Sequence, residues 1–123
     1  MDKRSGQYVG TYIDGKWWKP YTGERLYTGG DGEYWYDEDA FYFLRYLPQD
    51  LLTIPLEKVS EVRVGRWHCG NWALGSRVVR LFWRHDGRRL ISGFVLSHRG
   101  TGAQEFVDFI RERLPSAVPE SGA

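Results

Sequence analysis

VSEVRVGRWHCGNWALGSRVVRLFWRHDGRRLISGFVLSHRGTGAQEFVDFIRERL, residues 59–114, decides the fold. It holds three runs with strand character and then one amphipathic helix. From Val59 to Trp67 the residues alternate, with Val62 and Val64 on one face and Glu61 and Arg63 on the other, the period of a half-buried strand. His68 to Ser76 carries Gly70, Asn71 and Gly75 and reads as a loop. Arg77–His85 and Arg89–Ser97 flank Asp86-Gly87, a dipeptide suited to the two positive-φ positions of a type I′ hairpin turn. Thr101-Gly-Ala-Gln104 fits a capping box, in which the hydroxyl and the amide each satisfy an orphan backbone N–H. Phe106, Phe109, Ile110 and Leu114 then share one helical face, Asp108, Arg111 and Glu112 lie opposite, and Pro115 is the stop. The spacing predicts a helix over about 101–114.

Upstream, Tyr34–Tyr36, an acidic turn at Asp37-Glu38-Asp39, Ala40–Tyr46, a break at Pro48-Gln49-Asp50 and Leu51–Ile54 read as an antiparallel meander. Tyr8–Ile13, Asp14-Gly15 and Lys16-Trp17-Trp18 read as a small hairpin, after which Gly23, Gly29, Gly30 and Gly32 break regularity. All eight tyrosines fall in the first 46 residues, with Trp17, Trp18, Trp35, Phe41 and Phe43, a composition that favours strands over helices. The expected division is an aromatic-rich N-terminal elaboration over 1–24, the main domain over 25–114, and a flexible Ser/Ala/Pro/Gly tail over 115–123. The fold class is mainly β (α+β): a bent antiparallel barrel or sandwich closed by one C-terminal helix. At 123 residues the chain suits a single core.

The Asp86-Gly87 turn fixes a register. His85 faces Arg88, Trp83 faces Leu90, Leu81 faces Ser92 and Val79 faces Phe94; matching apolar residues then sets Val64 by Val79 and Val62 by Leu81. These form the inner face. The outer face brings Arg63 beside Arg80, with Gly93 on the far side of Arg80, and next to them Phe82 with Ile91 and Val78 with Val95. Like charges placed opposite each other cost a few tenths to about 1 kcal/mol unless relieved. Glu61, solvent or a bound anion would relieve them. Phe82, Ile91, Val78 and Val95 make an apolar strip on a face expected to be polar, so either the N-terminal segment covers it or a partner does.

The formal charge is +1, but it is segregated: residues 1–57 carry six Lys/Arg against ten Asp/Glu, and residues 58–123 carry eleven against six. The excess of arginine on the later strands permits a local anion preference. Cys69 is the only cysteine and forms no intramolecular disulfide, and no apolar run follows Met1 to act as a signal peptide, which together give a cytoplasmic expectation with no transmembrane segment. His68, Cys69, His85 and His98 lack the paired short spacings of structural zinc sites. Adjacent His68 and Cys69 do not make a nucleophile and base, the glycines match no phosphate-cradling loop, and Asp37-Glu38-Asp39 suits a tight turn better than catalysis. No enzyme class and no cofactor is expected.

Tyr34-Trp-Tyr, Asp37-Glu-Asp, Phe41-Tyr-Phe, the phrase Leu52-Thr-Ile-Pro-Leu-Glu-Lys-Val-Ser-Glu-Val, the Asp86-Gly87 hairpin and the closing helix together resemble a GRAM or bacterial PH-like domain over roughly residues 25–114. The resemblance implies a bent β-barrel with one end plugged by the helix, and a module that binds lipid headgroups, peptides or other copies of itself. Where lipid-binding members carry basic residues around the first barrel loop, this chain has Asp37-Glu38-Asp39, a departure that favours a protein or peptide. The expected contact residues are Arg63, Arg80, Arg84, Phe82, Ile91, Val78 and Val95. An alternative is single-stranded nucleic acid held by Arg63, Arg66, Arg77, Arg80, Arg84, Arg88 and Arg89 with stacking on Trp67 or Trp72. An anionic lipid headgroup is a minor alternative, and sugar binding on Trp17, Trp18 and Trp35 another.

Overall fold

The computed structural model describes residues 3–14, 16–20, 29–46, 49–65, 67–68, 71–72, 77–96 and 102–114. In chain order these form β1 (Arg4–Ile13), β2 (Lys16–Pro20), β3 (Gly30–Tyr36), β4 (Ala40–Arg45), β5 (Asp50–Pro55), a 3₁₀ turn (Leu56–Lys58), β6 (Val59–Gly65), β7 (Trp67–His68), β8 (Asn71–Trp72), β9 (Val78–His85), β10 (Arg88–Val95) and α1 (Gly102–Arg113). Seven strands make one antiparallel sheet in the order β5-β4-β3-β1-β10-β9-β6; β2 joins the flank of β1, and β7 pairs with β8. The edge strands β5 and β6 are not paired to each other, so the sheet is not closed. The mainly-β class with one C-terminal helix is what the sequence predicts.

β1 is the strand that bends this sheet. Its first half, Arg4–Tyr8, pairs with β3, and Gln7–Ile13 pairs with β10. The stretch placed ahead of the regular strands by sequence therefore supplies the strand in the middle of the sheet. A bulge at Val9 interrupts the β1–β10 ladder, with Gly10 at φ +124°, a region that side chains with a Cβ avoid. An extra residue reverses the parity of everything beyond it. Tyr8 points into the main core, whereas Tyr12, four residues on, belongs to a separate cluster on the opposite face.

The main core joins both halves of the bent sheet to the helix. Phe41 from β4 lies 4.8 Å from Phe94 of β10, edge to face, and 4.9 Å from Phe106 of α1. Tyr36 packs on Phe106 and Phe109 at 4.8 and 4.7 Å. Phe106, Val107 and Ile110 are buried, and burying each is worth about 1.5–3 kcal/mol. Thr101 and the tail 115–123 lie outside the described residues; Gln104 of the expected capping box donates to Asp108 Oδ1 at 2.8 Å.

The acidic segment is a turn. Asp37 Oδ1 accepts the backbone N–H groups of Asp39 and Ala40 at 2.8 and 2.9 Å, and these bonds hold its carboxyl below the ordinary Asp range. Glu38 faces α1, where Arg113 reaches it with both Nε (3.0 Å) and a terminal nitrogen (2.6 Å).

Candidate interaction face on the outer side of the sheet

The hairpin register agrees with the sequence reading pair by pair. His85 faces Arg88, Trp83 faces Leu90, Leu81 faces Ser92, Val79 faces Phe94, Val64 faces Val79 and Val62 faces Leu81. Asp86 and Gly87 both have positive φ, 53° and 76°, as a type I′ turn demands. In consequence Arg80 stands between Gly93 and Arg63 on the outer face. A bulge between Val59 and Glu61 keeps Glu61 opposite Phe82.

Glu61 organises the guanidinium groups around it. It accepts a short hydrogen bond from Arg63 Nε and a 3.2 Å bond from Arg89. Arg63 and Arg89 sit 5.1 and 5.3 Å from the Phe82 ring centroid, each gaining cation–π attraction of about 0.5–1 kcal/mol at such exposure. Arg89 Nε also lies 3.2 Å from Asp14 Oδ2. Glu61, the internal acid on the same face, is thus the partner of Arg63. Arg80 and Arg84 are different: among the described residues neither has an acid partner, and Arg80 Nε is buried without an acceptor. Arg84 is exposed and pairs across the ladder with Arg89.

The apolar strip is not an open surface. Phe82 and Ile91 are 5% and 3% exposed and cluster with Tyr12, while Val78 and Val95 are 0% and 1% exposed. Of the two covers expected for these four, the N-terminal segment or a partner, the first is found over part of the strip: Tyr12, turned outward by the β1 bulge and paired with Ile91, lies there within the chain. Gly10 marks the bulge in the sequence, but nothing local announces which parity results. Of the seven residues expected at a partner surface, Arg63 and Arg84 are exposed and Arg80 is half-buried; the four apolar ones are buried. Asp14 and Tyr12, which sequence reasoning did not place here, complete the face together with Arg89, which was named only among the arginines of the nucleic-acid alternative.

Other features read from sequence do not gather here. Cys69 and His98 lie outside the described residues, as do Arg66 and the side chains of Trp17, Trp18, Trp67, His68 and Trp72. Strands β7 and β8 pair Trp67 with Trp72 and His68 with Asn71, so that His68, Asn71 and Trp72 are strand residues in the stretch 68–76 expected to be a loop. No group of three metal-ligating side chains occurs among the described residues, nor does any described helix have the length and apolarity to cross a membrane. A cleft of about 280 Å³ at the end of α1, lined by Glu38, Leu56, Val59, Ile110, Arg113 and Leu114, is bordered by the Glu38–Arg113 ion pair.

The interior holds polar groups invisible to pattern reading. Tyr8 Oη, Thr11 Oγ1, Ser92 Oγ and Trp83 Nε1 form one chain of hydrogen bonds, with Thr11–Ser92 at 2.6 Å and Trp83–Ser92 at 2.9 Å. Burial raises the Tyr8 phenol far above its ordinary pKa, so it stays protonated and can donate. Arg45, 1% exposed, grips Asp50 with two bonds of 2.7 and 2.6 Å and lies 5.4 Å from the Tyr8 ring. Each of these groups has a structural partner. Neither the family models nor the curated proteins contain a match to the chain.

Proposed function

We propose that this chain is a non-catalytic, PH-like interaction domain that takes an acidic protein or peptide surface on the outer face of β6, β9 and β10. One observation carries the reading: Arg80 and Arg84 lack a carboxylate partner among the described residues, on a face where Glu61 already serves Arg63 and Arg89. Arg84 and Arg63 are accessible, and Arg80, the ladder partner of Arg63, is half-shielded, which strengthens any charge-assisted bond it makes. A carboxylate entering here would relieve the like-charge contact of Arg63 and Arg80 without displacing Glu61. The family resemblance adds support for a binding module, and the engagement of Asp37 and Glu38 in turn and helix contacts speaks against a phosphorylated headgroup at the first loop.

The test is titration of a fluorescein-labelled Asp/Glu-rich peptide against the wild type, Arg84→Glu and Arg80→Gln. Loss of a charge-assisted contact of about 1.5–3 kcal/mol corresponds to roughly ten- to hundredfold weaker binding by Arg84→Glu. Equal affinity for the variants would overturn the reading. Tighter binding to a single-stranded oligonucleotide of matched charge, weakening steeply with salt, would move the function to nucleic acid.

A further inference from the structure

The other half of the sheet carries the opposite chemistry. On the outer side of β3, β4 and β5, Trp35 stacks on Tyr42 at 5.4 Å and 17°, and Leu44 sits between Glu33 and Leu51 in the ladder. Leu51 and Tyr46, at 50% and 48% exposure, are the large hydrophobic side chains most open to solvent among the described residues. Carboxylates lace these rings. The Tyr42 hydroxyl donates to Asp37 Oδ2 at 3.3 Å, and the Tyr46 hydroxyl faces Glu33, with Asp31 near. Of the six Asp/Glu of residues 30–55, Asp50 is held by the buried Arg45, the one basic residue of the stretch, and Glu38 by Arg113, which leaves Asp31, Glu33, Asp37 and Asp39. A cation already rests on this surface: Lys3 Nζ lies 5.0 Å over the Trp35 ring.

This surface and the arginine face lie on opposite sides of the molecule, because the inner sides of both half-sheets meet in one core at Phe41 and Phe94. Their complementarity can be satisfied only by another molecule. We propose that the aromatic, acidic face of β3–β5 receives the arginine face of a second copy, so that the domain associates head to tail. The inference rests on the arginine face being a binding surface, and it names that face's partner. Guanidinium groups of Arg63 and Arg84 suit flat rings edged by carboxylates, since they stack on the ring while donating to the acid. The chain's formal charge of +1 leaves copies without long-range repulsion, so the segregated charges attract in this one orientation. Because the two patches differ, each contact leaves one free face at either end, and the assembly grows beyond a dimer or closes into a ring.

Sedimentation velocity tests this with two surface variants, Glu33→Lys/Leu51→Lys and Arg63→Glu/Arg84→Glu, each first checked for wild-type thermal unfolding. At about 20 mM salt the wild type is expected to exceed the 14.4 kDa monomer mass progressively with concentration. It should return to monomer at about 0.5 M, where the screening length falls from roughly 20 Å to roughly 4 Å. Each variant alone should remain monomeric, and an equimolar mixture should form a dimer and stop there, since each partner then offers one working face. A wild type that stays monomeric at high concentration and low salt overturns the inference, as does a variant that still self-associates or a mixture that stays monomeric. The Glu33→Lys/Leu51→Lys variant retains the arginine face. Its binding of the acidic peptide beside a monomeric wild type would sink self-association alone, whereas assembly without peptide binding would sink the peptide reading alone.

Discussion

Arg45 shows how one residue shapes the interior. Taking a guanidinium out of water costs several kcal/mol, repaid here by two short bonds to Asp50 and by the Tyr8 ring. Asp50→Ala should therefore destabilise the domain by about 3 kcal/mol, because it takes both carboxylate bonds from a buried guanidinium, and Arg45→Met combined with Asp50→Leu should recover part of that loss. Urea unfolding of the three proteins measures both values. Tyr8 gives a second prediction. Its folded pKa lies above the unfolded value of about 10, so the protonated phenol contributes stability that is complete below pH 10 and is lost as pH rises beyond it. Absorbance at 295 nm should show Tyr8 ionising only when the domain unfolds, and Tyr8→Phe should remove that component of the alkaline transition. Neither residue could be assigned from sequence: Arg45 ends an aromatic strand, and its inward side chain makes sense only once Asp50 and Tyr8 are beside it.

At the scale of elements, the helix is held in two ways. Its apolar stripe was legible because it repeats every turn, and Phe106→Ala should cost about 3–5 kcal/mol by urea unfolding, since the ring touches both Tyr36 and Phe41. The second hold joins residues 75 apart, and no local pattern indicates it. Arg113 pairs with Glu38 and stacks 3.7 Å from Phe109, and the ion pair keeps the Glu38 carboxyl below the ordinary Glu range. A lowered folded pKa stabilises above the unfolded value and is lost as pH falls through the folded one, so the latch should weaken below about pH 4.5 and be unchanged from there to neutrality. The protection of the last-turn amides of α1, measured against their intrinsic exchange at each pH, should fall over that acid range in the wild type, and Glu38→Gln should already show the lower protection at neutral pH. The β6–β9–β10 unit was legible in full register for a related reason: an Asp-Gly turn and a period of two are both written in neighbouring residues.

For the molecule as a whole, β1 is decisive. It joins β3 to β10, and without it the sheet divides into β5-β4-β3 and β10-β9-β6. A fragment starting at residue 25 should therefore fail to fold, giving a disordered far-ultraviolet dichroism spectrum and no cooperative melt; a folded fragment would show that the two half-sheets close on each other without it. The sequence by itself determined the mainly-β class, the Asp86-Gly87 hairpin, the placing of Arg63 beside Arg80 and the closing helix, because each depends on periodicity or turn chemistry within a short span. Tertiary structure alone decided that the first strand is central, that Tyr12 lies over Phe82 and Ile91, that Glu38 reaches Arg113 and that Arg45 turns inward. Those outcomes hang on pairings across long stretches of chain and on one inserted residue at Val9, whose reversal of parity is selected by the packing of the entire core.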